Sequence, residues 1–429
     1  MLLIAPEFIL LVGGLLVFCL DVYTHRNDGV RKSGLSYMML SIIFLAFALV
    51  ISGLQLGREP QVAYSMLDVD PFSMFVKMSI FAGMILIAVA GGPFMNQRTE
   101  NQGEFWTFFL MVSLAMSVLV SANNLVLIYV TIEFLSITSY MLAGFLREET
   151  RSNEAGLKYF LYGSVASAVM LYGISLLYGA TGSLYLKDIG AVLAEQLAGA
   201  AELHGVAFVV LPATVLVLAG LGFKASLAPF HQWAPDTYDG SPTPVATYLS
   251  TASKAAAFAV LARVAIVGLG PFQINWVPIL AGLSILTMTM GNLAALRQNN
   301  VKRMLAYSSV AQAGYILMGL AAVTGAANSG MDGLNGVLIY LFAYIFTNVG
   351  AFLTVMAVEE ATGTTDISAY QGLIRRSPWL ASMFVIFLLS LTGIPLTGGF
   401  LGKFFVFGAA IQHQYYWLAA AGLINAGIA

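Results

Sequence analysis

Residues 206–231 read VAFVVLPATVLVLAGLGFKASLAPFH, an apolar run that carries one lysine, Lys224, and then meets Pro229. A strand lying half-buried on a core would alternate apolar and polar residues, and this run does not. At about 1.5 Å per residue, roughly twenty such residues cross the hydrocarbon core of a bilayer. Lipid offers the backbone no hydrogen-bond partners, so a continuous apolar run must satisfy its own and becomes a helix. A barrel strand would be about half as long and would alternate.

Runs of the same kind recur along the chain of 429 residues, near 2–22, 35–53, 71–92, 105–121, 124–146, 156–180, 206–230, 242–269, 275–296, 303–324, 334–358 and 379–411. These are twelve complete spans. A thirteenth begins near Tyr415 and reaches Ala429 after about fifteen apolar residues, short of a bilayer crossing. The expectation is an all-α polytopic membrane protein whose native chain continues past Ala429. Composition agrees: 59% of the residues are hydrophobic and 9% charged, where a soluble domain carries roughly a quarter charged. The first run has no basic segment ahead of it and holds Pro6 and Glu7 near its start, so it reads as a retained helix and not a signal peptide.

Several chemistries are excluded. Cys19 is the only cysteine, so this chain alone builds no iron–sulfur cluster, cysteine-based zinc site or intramolecular disulfide. There is no GxxxxGK[ST] phosphate loop and no dinucleotide fingerprint between a strand and a helix, and four histidines make no convincing haem site. Oxidation of NADH is therefore outside the reach of this chain.

Basic residues in short loops are retained on the cytoplasmic side. Loops after odd-numbered spans hold Arg26, Arg31, Lys32, Arg98, Arg147, Arg151, Arg297, Lys302, Arg303, Arg375 and Arg376, whereas loops after even-numbered spans hold only Arg58 and Lys187. The N-terminus is thus expected on the non-cytoplasmic side.

Two spans carry helix breakers: Ala228-Pro229-Phe230 late in the seventh, and Thr392-Gly393-Ile394-Pro395-Leu396-Thr397-Gly398-Gly399 inside the twelfth. They lie five spans apart, and an odd offset inverts the topology. Transporters built from inverted repeats place broken helices at equivalent positions in two halves, with the ion sites beside them. The expected organisation is a three-helix segment over 1–104, a first repeat over 105–269 (spans four to eight) and a second over 270–429 (spans nine to thirteen). Proline and glycine are also commoner in membrane helices generally, so the offset can arise without repeats.

Once the loop charges are set aside, Lys77, Glu133, Lys158, Lys224, Lys254, Arg263 and Lys403 remain at membrane depth. A charge there costs about 2.5–3.5 kcal/mol on insertion scales, so each needs a partner or a task. Glu133 and Lys224 stand on different spans and could pair. An amine buried in a low dielectric loses affinity for its proton and a nearby carboxylate restores it, so an acid that approaches and withdraws switches an amine between holding and releasing a proton. A static ion pair that fixes packing is the alternative. Lys254 and Lys403, flanked by small residues, continue the series, although a lysine near a helix end can also snorkel. His231, just past Pro229, is either a proton shuttle or a local cap. Lys158 follows Glu154 by four residues, the favourable order for a pair on one helix. Lys77 shows no partner in the sequence, and Arg263 is expected to snorkel from the end of the eighth span.

The segment Gly222-Phe223-Lys224-Ala225-Ser226-Leu227-Ala228-Pro229-Phe230-His231-Gln232-Trp233-Ala234-Pro235-Asp236-Thr237-Tyr238-Asp239-Gly240-Ser241-Pro242-Thr243-Pro244 resembles the signature of the antiporter-like subunit N family of respiratory complex I, the NADH-quinone oxidoreductase. Glu154 to Phe160, Lys302 to Ser309 and Gly398 to Lys403 are similar to it as well, and the resemblance covers nearly the whole chain. It implies a fourteen-span antiporter-like fold with two inverted five-helix repeats, related to Mrp-type cation/proton antiporters, in a bacterial cytoplasmic membrane. Carried over by motif, Glu133 is the fifth-span acid, and Lys224, Lys254 and Lys403 are the seventh-, eighth- and twelfth-span lysines of a proton path. His231 assists between them and Lys158 joins the candidates.

No cofactor is implied for this chain. NADH, FMN, iron–sulfur clusters and quinone would be bound by partner subunits, with subunits M, K and J as neighbours, lipid around them and no nucleic acid. Gln312 stands where many bacterial relatives carry histidine, and an amide cannot be protonated, so a relay through that point needs water. An Mrp-type antiporter subunit is the alternative within transporters. A scaffold would not account for four buried ionisable groups beside broken helices, and a solute carrier would need a substrate pocket that the sequence does not reveal.

Overall fold

The computed structural model describes residues 2–27, 34–199, 204–323 and 332–429, so that Arg31, Lys32 and the expected end of the tenth span at Thr324 lie outside the described residues. The helices are α1 (Ala5–Asn27), α2 (Gly34–Leu56), α3 (Pro71–Asn96), α4 (Gln102–Ser121), α5 (Leu125–Ala143), α6 (Thr150–Thr181), α7 (Leu186–Gly199), α8 (His204–Ala225) and α9 (Trp233–Gly240). They continue as α10 (Thr243–Ser250), α11 (Ala252–Arg263), α12 (Gln273–Ala295), α13 (Val301–Ala321), α14 (Gly333–Thr362), α15 (Leu373–Arg376), α16 (Pro378–Thr392), α17 (Gly398–Gln412) and α18 (Tyr416–Ile428). Among the described residues, eleven helical stretches are long and apolar enough to cross a membrane. Each predicted span coincides with one helix or with a broken pair.

The molecule is apolar on its outside as well as its inside. On α2 the exposed face is Met39, Ile43, Phe47, Val50 and Leu54, a helical stripe that only lipid or another apolar surface tolerates. Centrally, nearly all residues of Thr243–Gly268 and most of Val301–Ala321 are buried, whereas most of Gly34–Leu56 and Thr150–Thr181 are not. The helices bearing Lys254 and Gln312 are thus sheathed by the others. Small residues bring α12 and α13 together: a Cβ on Gly314 would stand 2.7 Å from the Met288 nitrogen, and one on Gly291 would stand 2.5 Å from that of Ala311.

Three features were not expected from the sequence. A short antiparallel hairpin, β1 (Gln61–Ala63) with β2 (Leu67–Val69), precedes α3. An amphipathic helix, α7, buries Leu186, Ile189 and Leu193 and carries Lys187, Asp188 and Glu195, which make it too polar to span. The eighth span is broken at Thr251, with no proline or glycine at the break. There the Ser250 and Thr251 hydroxyls fold back on the Thr247 carbonyl at 2.8 and 2.6 Å. On α14, Tyr344 donates to the freed Ser250 carbonyl at 2.8 Å and Asn348 to its hydroxyl at 2.9 Å. Tertiary partners satisfy backbone groups that the helix gives up.

The loop charges gather into ion pairs. Arg147 meets Glu104 at 3.4 Å and Arg98 meets Glu359 at 3.6 Å. Asp236 binds Lys158 at 2.8 Å and Arg303 at 2.7 Å.

Candidate functional site

α8 ends where its own backbone stops bonding. Ser226 adopts a φ of +57°, the Leu227 amide donates back to the Gly222 carbonyl at 2.8 Å, and the Ala228 amide turns to Thr287 Oγ1 of α12 at 3.0 Å. The Trp233 indole N–H, from the first residue of α9, caps the Phe223 carbonyl at 3.0 Å. Lys224, the penultimate residue of α8, is thereby fixed at the break with 1% of its surface exposed. Its amine donates to Ser136 Oγ on α5 at 3.1 Å and to the Tyr159 hydroxyl on α6 at 3.0 Å. Tyr159 stacks on Trp233 with centroids 4.2 Å apart, which locks the acceptor in place.

The direct Glu133–Lys224 pair that the sequence allowed does not form. Glu133, half-buried, accepts a hydrogen bond from Ser167 on α6, and among the described residues no salt bridge joins it to Lys224. Ser136, which holds Lys224, lies one helical turn from Glu133 on the same helix. Acid and amine are adjacent along α5 but each is held by hydroxyl groups.

Lys254 occupies the first turn of α11, just beyond the break at Thr251. It is 1% exposed and donates to the carbonyl and hydroxyl of Ser309 on α13, at 2.9 and 2.8 Å. His231 is buried between the two halves of the broken seventh span, edge-on to Tyr307. Its Nδ1, like the hydroxyls of Tyr238 and Tyr248, has no hydrogen-bond partner among the described residues. Buried polar atoms of this kind are the positions at which internal water binds.

A lysine also stands at the break inside the twelfth span, with other residues around it. α16 stops at Gly393, with a φ of +90°, and α17 starts from Thr397. Lys403, 5% exposed, reaches back across the break and donates to the Thr392 carbonyl at 2.7 Å and the Leu391 carbonyl at 3.2 Å. These are the free carbonyls of the α16 C-terminus, where the helix dipole favours a cation. Its amine also lies 4.3 Å over the Tyr315 ring. Snorkelling is thus not what Lys403 does. Gln312 donates to the same Leu391 carbonyl at 2.8 Å and accepts from the Tyr340 hydroxyl.

The remaining candidates separate from this buried set. Lys158 has a side chain 38% exposed and is shared between Glu154 at 2.7 Å and Asp236 at 2.8 Å, near the start of α6. Arg263 does not snorkel: it is 6% exposed and binds Asp68 at 2.9 Å and Asp70 at 3.0 Å, holding the β-hairpin against α11. Lys302, counted with the loops, is 3% exposed and donates to the Ser241 carbonyl at 2.8 Å. Lys77 has a partner after all, Glu7, at 2.5 Å. Two opposite charges within neighbouring apolar runs were the available signal for that last pair, but Glu7 reads in sequence as a residue of the chain start.

A family model described as NADH:quinone oxidoreductase/Mrp antiporter, TM, matches residues 122–429. The chain is 40% identical to NADH-quinone oxidoreductase subunit N 2 of Symbiobacterium thermophilum, over 99% of this chain and 85% of that one. It is 38% identical to NADH-quinone oxidoreductase subunit N of Moorella thermoacetica, over 98% of this chain and 84% of that one. Among solved structures, it superposes on a chain of respiratory complex I from Thermus thermophilus with bound aureothin, with a TM-score of 0.79 at 33% identity, covering 99% of this chain and 86% of that one. A chain of the Mrp complex from Dietzia sp. DQ12-45-1b gives a TM-score of 0.82 at 21% identity, over 100% of this chain and 77% of that one, a likeness of fold. The chain therefore belongs to the NADH:quinone oxidoreductase/Mrp antiporter transmembrane family and, within it, to the subunit N group of the NADH-quinone oxidoreductases.

Proposed function

We propose that this chain is a proton-translocating membrane-arm subunit of a NADH-quinone oxidoreductase, complex I. The observation that carries the reading is that Lys224, Lys254 and Lys403 are each buried beside a helix break and donate, among the described residues, to hydroxyl or carbonyl oxygens and to no carboxylate. Ionisable groups at membrane depth without a compensating carboxylate are expensive for a scaffold and useful to an ion path. In this reading Glu133 turns from Ser167 toward Lys224 to hold a proton there, and turns back to let it go. Lys254 and His231 connect the halves, and Lys403 exchanges with the opposite side. Lys158 sits at the mouth, in the ion-pair chain with Asp236 and Arg303. Gln312 cannot carry a proton, so passage beside it uses water.

The organisation behind this is a three-helix unit over 1–104 followed by inverted repeats over 105–269 and 270–429. The membrane is a bacterial cytoplasmic membrane with the N-terminus on its outer side, a reading supported by the excess of arginine and lysine in loops after odd-numbered spans. Electron transfer happens in partner subunits that bind NADH, FMN, iron–sulfur clusters and quinone, and subunits M, K and J are the expected neighbours. Lipid covers the apolar faces that no subunit covers. An Mrp-type antiporter subunit shares the fold, but the 38–40% identities are to subunits N.

The test is proton pumping by native-membrane vesicles carrying Lys224→Ala, alongside quinone reduction and assembly of the complex. Pumping should collapse in an assembled complex. Wild-type pumping and turnover would show that the buried lysines serve structure only.

A further inference from the structure

The best-buried ion pair of the molecule lies in neither half. Glu7 on α1 and Lys77 on α3 meet at 2.5 Å, with side chains 8% and 1% exposed, and Ser117 on α4 donates to the same carboxylate oxygen at 2.6 Å. The other oxygen, Glu7 Oε2, is buried with no hydrogen-bond partner among the described residues. A carboxylate accepts several hydrogen bonds when ionised, and an orphaned oxygen is where a proton or a water binds. As a clamp this arrangement is poor, because an apolar trio of the same volume would hold three membrane helices at least as well.

A polar line leads from the pair to the surface. On α4, Ser113, Ser117 and Ser121 recur every four residues, which sets them on one face, and all three are buried. Ser121 Oγ has no partner among the described residues. Two residues on, Asn123 donates to Asp68 at 2.7 Å. Asp68 joins Arg263 and Asp70, which is 23% exposed at the edge of the hairpin. The charges beyond the pair, toward the hairpin, are Asp70 at the N-cap of α3, Asp68 on the hairpin and Arg263 on α11. α2 contributes none, and the acid of α4, Glu104, is in its first turn at the far end. α11, with Lys254 in its first turn, packs against both α3 and α4.

We propose that Glu7, Lys77 and Ser117 form a further proton-binding site, where the N-terminal three-helix unit meets α4, that exchanges with the non-cytoplasmic side along the Ser117–Ser121–Asn123 line. Uptake of one proton at Glu7 Oε2 converts the ion pair into a carboxylic acid beside an ammonium. Its release to the outside restores the carboxylate and the pair, and no other reactant is needed. The site rests on the chain moving protons, but not on Lys224 being the group that does so.

The experiment compares Glu7→Gln/Lys77→Met, Ser121→Val and Lys224→Ala in the whole complex in native-membrane vesicles, reading assembly, quinone reduction and protons moved per quinone reduced. The double variant removes both charges together and keeps an acceptor for Ser117, so it leaves no stranded ion. The expected result is an assembled complex that moves fewer protons per quinone, with a smaller loss of the same kind in Ser121→Val. A double variant that assembles and pumps at the wild-type ratio overturns the proposal and makes the pair a clamp. If the double variant does not assemble, Ser121→Val decides, since it touches no charge: an unchanged ratio there overturns the proposal. Loss in Lys224→Ala with wild-type ratios in the other two rejects this site alone. Loss in the other two with wild-type pumping in Lys224→Ala rejects the lysine path and keeps this site.

Discussion

Lys403 shows how a single residue is placed by the failure of a helix. Its ammonium sits on carbonyls that α16 no longer bonds internally, and Gln312 shares one of them. Gly393 makes the geometry possible, since its φ is +90° and a Cβ there would stand 2.7 Å from Lys403 Cδ. Gly393→Ala should therefore cost about 1–3 kcal/mol in backbone strain and push Lys403 off its seat. The expected reading is a fall in coupled proton pumping larger than the fall in the amount of assembled complex. Gln312→Leu leaves the Tyr340 hydroxyl without its acceptor, a loss of about 1–3 kcal/mol. Thermal unfolding of the purified complex should register it. Gln312→His, which restores a titratable ring, should change the pH profile of pumping, and an unchanged profile would mean that protons do not pass that point.

At the scale of an element, the hairpin and the start of α3 form one unit with the end of α11. Asp70 is the N-cap of α3, accepting from the Ser73 amide at 2.8 Å in a reciprocal capping box, and it also binds Arg263. Burial pushes its carboxyl up, but the hydrogen bonds and charge of Arg263 and the Ser73 amide outweigh this and hold it below the ordinary range. A carboxylate depressed in the folded state stabilises fully above its unfolded value of about 3.9 and loses that contribution as pH falls through the lower folded value. Asp70→Ala should cost about 0.5–2 kcal/mol through the cap, with a smaller difference from wild type below pH of about 3.9. Unfolding midpoints across that range check it. Arg263→Met strands Asp68 in a buried position and should cost more, about 3–5 kcal/mol, read as loss of assembled complex.

For the molecule as a whole, the loop charges predict an orientation that chemistry can test. Arg58, in the loop after the second span, and Arg151, in the first turn of α6 after the fifth span, are both exposed. With Cys19 replaced by alanine, Arg58→Cys should react with a membrane-impermeant thiol reagent in right-side-out vesicles, and Arg151→Cys only in inverted ones. The reverse pattern would turn the protein over and exchange the entry and exit sides assigned to its lysines. The break at Thr251 lies among the most buried helices, where protein satisfies the freed backbone, whereas Pro229 and Ile394 to Leu396, at the other two breaks, are exposed on the surface of the chain.

The spans, their number and the breaks at Pro229 and Gly393 were legible in the chain because each depends on local quantities: the length of an apolar run, a missing amide hydrogen, a residue free to take positive φ. The lysines were legible for a similar reason, since a charge inside such a run is conspicuous wherever the run ends up. Their partners were not. Lys224 binds Ser136 and Tyr159, Lys403 binds the carbonyls of a helix end, Arg263 binds a hairpin about two hundred positions earlier, and Glu7 finds Lys77 across seventy residues. The break at Thr251 was hidden likewise, because its freed carbonyl is satisfied by Tyr344 of α14. Which buried polar groups meet depends on which helices are neighbours. In an apolar solvent that choice is made by close packing and hydrogen bonds between residues distant in the chain, for which a one-dimensional pattern carries no signal.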